Sequence, residues 1–135
     1  MSINSKQKGK RGELAFVRKA GEYGYNLHRT AQFMGKTGQA GDVEGLEGIH
    51  IEVKFVEKLN IRDAMAQAVR DCNAENKGNI PIVAHKKNNC DWLVTMTVDG
   101  FFKMYSSYLT DLIETEIIRK GGKNADGGAV DGKEK

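Results

Sequence analysis

Polar and apolar residues alternate most cleanly over Ile49–Phe55. Ile49, Ile51, Val53 and Phe55 fall on one side of a strand, and His50, Glu52 and Lys54 fall on the other. Asp42-Val43-Glu44-Gly45-Leu46 reads as the strand before it, with Glu47-Gly48 at the turn of a hairpin. Upstream, the segment from Lys8 to Ala20 has helical spacing: Leu14, Ala15, Phe16 and Val17 form an apolar stripe among Lys10, Arg11, Arg18 and Lys19. Gly21 and Gly24 end that helix, and Tyr25–Arg29 predicts a first strand.

Downstream, Ile61–Glu75 predicts an amphipathic helix, with Asn60 as its N-cap and Ala64, Met65, Ala68, Val69 and Cys72 on the buried side. Ile80–Ala84 and Trp92–Met96 read as strands, and Gly100–Met104 as a last one. A final helix is expected from Ser107 to about Arg119. From Gly121 onward no large apolar side chain remains to offset the entropy of ordering, so residues 121–135 are expected to form a disordered tail.

Composition narrows this picture. A chain of 135 residues with 39% apolar side chains builds one compact α/β domain, assigned to residues 1–120. The net charge is only +3, but Lys6, Lys8, Lys10, Arg11, Arg18 and Lys19 face a single acid, Glu13, in the first nineteen residues. That imbalance suits a phosphate-rich partner, although a solvated terminus accounts for it equally well. Cys72 and Cys90 are the only cysteines, and neither has metal-ligand spacing to a histidine. With no apolar leader and no run long enough to cross a membrane, the expectation is reduced thiols and a cytoplasmic protein. A phage gene product acting in the host cytoplasm suits the size.

The candidate chemistry centres on the alternating strand. Glu52 and Lys54, two apart, share its polar face, and Asp42 approaches that face across the hairpin. Magnesium prefers hard oxygen ligands and is held by one or two carboxylates, so two acids and an ammonium converging on one point suit phosphodiester cleavage. A solvated sheet face would produce a Glu-x-Lys pair without any such purpose. Here, however, the apolar run Ile80–Ala84 is the expected neighbour, which makes the strand central, and charges placed centrally in a small domain need a reason. The glycine-rich stretch 34–41, with Lys36, lacks the Gly-Lys-Ser/Thr ending of a phosphate loop and reads as a loop near DNA or the site.

Taken in order, Lys8–Gly12, Glu13, Gly24-Tyr25, Arg29, Asp42, Ile51-Glu52-Val53-Lys54, Gly78–Ala84 and Asp91-Trp92 resemble the PD-(D/E)xK nuclease superfamily. Within it they are most similar to archaeal-type Holliday junction resolvases, over about Lys8 to Tyr105. The resemblance implies a restriction-endonuclease-like α/β core with a central mixed sheet of about five strands flanked by helices. It implies a homodimer cutting four-way DNA junctions with Mg²⁺, for which Mn²⁺ substitutes. Glu13, Asp42 and Glu52 would serve the metal and Lys54 the catalysis, while Lys8, Lys10, Arg11, Arg29 and Lys36 would bind DNA.

Gln67 is an accessory candidate, for which an exposed helix glutamine is the plainer reading. His85 with Lys86 and Lys87 could contact phosphate or form a solvated turn. Glu44 could support the site or simply lie at the surface, and His50 could touch DNA or be structural. Gly41 stands where many relatives have proline, at little expected cost, and Thr37 stands near where resolvases often carry serine. Two other functions fit the same residues: a nicking, repair or restriction-like nuclease of this fold, or a DNA-binding module without catalysis.

Overall fold

The computed structural model describes residues 5–30 and 41–127. The elements run α1 (Ser5–Gly21), β1 (His28–Arg29), β2 (Val43–Glu44), β3 (Ile49–Phe55), α2 (Ile61–Glu75), β4 (Ile80–Lys86), β5 (Leu93–Met96) and α3 (Val98–Gly127). They fall into two compact units, Met1–Thr97 and Val98–Lys135.

The first unit holds one five-stranded mixed sheet in the order β1-β2-β3-β4-β5. Strand β3 is its middle. It pairs antiparallel with β2 at Val43 and Ile51, and parallel with β4 from Ile49–Ile80 through to Phe55–Lys86. The parallel step needs a crossover, which α2 supplies. Asn60 caps α2 as expected: its side-chain oxygen accepts from the Asp63 N–H at 3.1 Å.

The two faces of β3 meet different layers. On one, Ile51 and Val53 pack with Phe16 and Ala20 of α1, Leu27, Val43, Ile82 and Ala84. Trp92 closes this layer, its ring 5.1 Å from Phe16 and 6.0 Å from Phe55 between centroids. A Cβ on Gly12 would lie 2.9 Å from that of Phe55, so the glycine lets α1 lie close against β3. The opposite layer is thinner, with Ala64 and Ala68 of α2 on Val83.

The second unit is α3 alone among the described residues, and it corrects one expectation. Gly100–Met104 is not a strand: it lies in the first turns of a helix of 30 residues. Read beyond a five-residue window, Val98, Phe102, Tyr105, Tyr108 and Leu112 recur every three to four positions, a helical period. Residue 120, the expected domain limit, falls inside α3, which continues to Gly127. No helix among the described residues is long and apolar enough to cross a membrane.

Candidate active site

Alternation along β3 puts His50, Glu52 and Lys54 on the face toward α2, and their depth differs. His50 and Glu52 are buried, whereas Lys54 is half-buried toward the end of the strand. Asp42 arrives from the side. Its backbone N–H donates to the Ile51 carbonyl at 2.8 Å, and its own carbonyl accepts from Thr30 N–H at 3.0 Å. The carboxylate then turns onto β3, where Oδ2 accepts from the Val53 N–H at 2.8 Å. Gly41 makes this approach possible, since a Cβ there would lie 2.7 Å from the Ile51 carbonyl oxygen. Glycine at 41 is thus a packing requirement here, not the inconsequential replacement that the sequence suggested.

Asp42 and Glu52 come within hydrogen-bonding reach of each other. Burial raises the Glu52 carboxyl above the ordinary carboxylate range, and the charge of Asp42 adds to the rise, against the opposing pull of His50. Two carboxylates held together against their own repulsion fit a divalent cation: both are hard oxygen donors, and a cation between them removes the repulsion. Among the described residues no group of three or more His, Cys, Asp or Glu side chains converges as a metal set. Glu13, on α1, accepts from Arg29 Nε through Oε1 at 2.7 Å.

His50 bridges two acids. Its Nε2 lies 3.0 Å from Glu52 Oε2 and its Nδ1 3.0 Å from Glu75 Oε1, with the imidazole wholly buried. Burial works against a charge on this ring, yet the hydrogen bonds and charges of Glu52 and Glu75 outweigh it and raise its pKa above the usual histidine value. Sequence reading weighed His50 only as a DNA contact or a structural residue, and did not single out Glu75.

The remaining candidates are spread around this centre. Lys8, Lys10 and Arg11 are exposed on α1. Lys8 and Arg11, with Arg18, Phe55 and Asn88, line a cavity of about 300 Å³. Lys36 and Thr37 lie outside the described residues. Gln67 is half-buried on α2, next to the fully buried Ala68. Glu44 is exposed and pairs with His28 at 3.4 Å. His85 sits beside Lys54 in the parallel register and meets Thr95 Oγ1 at 2.9 Å. Burial lowers its pKa.

A mixed sheet whose middle strand offers Glu-x-Lys, with an aspartate turned onto it from just before β2, resembles the arrangement of a PD-(D/E)xK nuclease. A family model described as "Phage putative PDDEXK endonuclease" matches residues 4–127, and the chain belongs to that family. It is a nuclease of this fold, in a class that generally works with divalent metal ions. Among solved structures it is similar to Archaeoglobus fulgidus Hjc, a Holliday junction resolvase from an archaeal hyperthermophile. The identity is 24%, the match covers 66% of this chain and 72% of that one, and the TM-score is 0.49. No curated protein matches the chain.

Proposed function

We propose that this nuclease is a magnesium-dependent endonuclease that cuts branched DNA, with the four-way junction as its substrate, as a homodimer. The observation that carries the metal-dependent chemistry is the pair Asp42 and Glu52, drawn together beside the middle strand with Lys54 on the same face. Asp42 and Glu52 would hold the ion; Mn²⁺ offers the same hard-cation chemistry. When bound, such an ion polarises a phosphate and lowers the pKa of a water. The chain's own part is to fix both carboxylates, through the Val53 N–H and His50, and to offer the Lys54 ammonium to the attacking water or to charge developing on the phosphate.

Lys8, Lys10 and Arg11 on the exposed side of α1 would take DNA phosphates, and Lys36 would join them. Glu13 accepts from Arg29 through Oε1, and its second carboxylate oxygen would serve the ion as a third acid. Support for the junction is the ordered resemblance from Lys8 to Trp92; support for the dimer is the large apolar side chains that α3 leaves exposed in a single chain. A phage enzyme with this substrate would act in the host cytoplasm.

The test is incubation of the full chain with a synthetic four-way junction and Mg²⁺. Paired nicks near the crossover are expected, and Lys54→Ala or Asp42→Asn should slow them by at least about 10²–10³-fold while junction binding persists. Cutting confined to linear or nicked duplex would keep the chemistry and exchange the substrate for that of a nicking, repair or restriction-like enzyme. Undiminished cutting by both variants would overturn the site.

A further inference from the structure

Three side chains stand in line on the α2 side of the sheet: Glu52, His50 and Glu75. Both links measure 3.0 Å, and the side chains are 3%, 0% and 17% exposed. The line joins two elements, since His50 and Glu52 belong to β3 whereas Glu75 is the last residue of α2. Bury-and-bridge arrangements of this kind are expensive in desolvation, and apolar side chains of similar volume fill such a space at least as well. Packing alone therefore gives no reason for an imidazole at position 50.

We propose that His50 and Glu75 are positioning residues for Glu52: the imidazole, aimed by Glu75, holds one Glu52 oxygen and so sets how the carboxylate is presented beside Asp42. The proposal rests on the reading of Asp42 and Glu52 as the ion-holding pair. A carboxylate on a two-bond stem rotates easily, and its neighbour Asp42 repels it. With Oε2 tied to Nε2, the group cannot swing away from Asp42 to relieve that repulsion. Glu75 does the same for the ring by fixing Nδ1, so the orientation is passed from the end of α2 to the middle strand. Partners of this kind, hydrogen-bonded to a ligand instead of to the ion, typically change metal affinity by about 10–100-fold when removed.

The ring offers a graded test. Asparagine reaches about as far as Nδ1 and glutamine about as far as Nε2, so His50→Asn loses the bond to Glu52 whereas His50→Gln retains it. Mn²⁺ binding to the full chain without DNA is followed by the electron paramagnetic resonance of the free ion, with circular dichroism as the check on folding. His50→Asn should weaken binding by about 10–100-fold. His50→Gln should recover most of that affinity, and Glu75→Ala should fall between the two. A folded His50→Asn protein that binds within about twofold of the wild type, or a glutamine variant as weak as the asparagine one, would overturn the proposal. Should the position-50 variants fail to fold, Glu75→Ala decides at the partly exposed end of the line, and unchanged affinity there overturns it too. Asp42→Asn separates the two readings. If Asp42→Asn loses Mn²⁺ while His50→Asn keeps it, only the positioning role fails. A wild-type chain that binds no Mn²⁺ removes the ion-holding pair and this proposal together.

Discussion

Strand β3 buries charged side chains, whereas helix α3 exposes large apolar ones. In β3, Glu52 is 3% exposed and the imidazole of His50 is wholly enclosed, beside an Ile51 that water does not reach. In α3, Phe101, Phe102, Tyr105, Tyr108, Leu112 and Ile113 are all at least 41% exposed, since even the least exposed of the helix's large apolar residues, Leu109, stands at that value. A lone exposed leucine is ordinary, but a buried unpaired charge or a contiguous apolar surface is not. The two regions therefore point in different directions. Burial of the β3 charges carries a solvation cost that the proposed chemistry would explain, and exposure of the α3 apolar groups carries one that the proposed homodimer would explain.

The sharpest way to test the first half is to disturb the apolar side of β3, where nothing chemical is at stake. Ile51→Ala removes a fully buried side chain from between α1 and the sheet and should destabilise the protein by about 2–5 kcal/mol, read from urea unfolding. A loss under 1 kcal/mol would mean that this layer closes over the gap with little strain, unlike a packed core.

How much of this was legible in the sequence differs between the same two regions. Strand β3 was readable to the residue, because a strand with one apolar and one polar face has a strict period of two and Gly48 marks its start. Helix α2 was readable for a similar reason, with Asn60 capping one end. Asp42 beside Glu52 was also foreseeable, since a tight hairpin brings the two positions together. Helix α3 was misread at Gly100–Met104 because the window was short and the apolar residues dense.

The Glu52–His50–Glu75 line escaped for a different reason, as it is a tertiary contact. A signal existed nonetheless. In a β-α-β unit the helix runs back along the strands, so the last residue of α2 must return to the beginning of β3. That places Glu75 near His50, with no alternation or spacing to announce it. The ion pair of Glu13 with Arg29 was likewise invisible, because the two lie sixteen positions apart across the turn that brings β1 under α1.

A smaller effect, of opposite sign, is expected on the polar side of β3. In the metal-free protein Asp42 repels Glu52, and asparagine at 42 still accepts from the Val53 N–H through its side-chain oxygen. Asp42→Asn should therefore stabilise the protein in EDTA by about 0.5–2 kcal/mol, even as it abolishes cutting. The sign follows from Glu52, whose folded pKa is raised above 4.5. Ionisation of the unfolded chain above that pH weakens folding until the folded group ionises as well. The gain should be absent below pH 4.5 and grow as the pH rises through the raised value, which paired denaturation curves at several pH values would read. A loss of stability at neutral pH would mean that the two carboxylates support each other, contrary to the repulsion argued above.

The smallest effect is expected in α3, where it is the more telling for being small. Ile118 is 72% exposed and carries as much apolar surface as Ile51. If exposure in the single chain is the whole story, Ile118→Gln changes unfolding free energy by no more than about 0.5 kcal/mol, because nothing packed is lost and glutamine is a good helix former. The measurement belongs at low micromolar concentration and again at a hundredfold higher concentration. An unchanged value at both would mean that no second copy covers this part of α3. A cost of 2 kcal/mol or more that appears only at the higher concentration would mean that a second copy covers Ile118, since stability gained by association grows with protomer concentration and stability within one chain does not. The same isoleucine side chain would then be worth as much in α3 as in β3, and the contrast between the two regions would belong to the monomer alone.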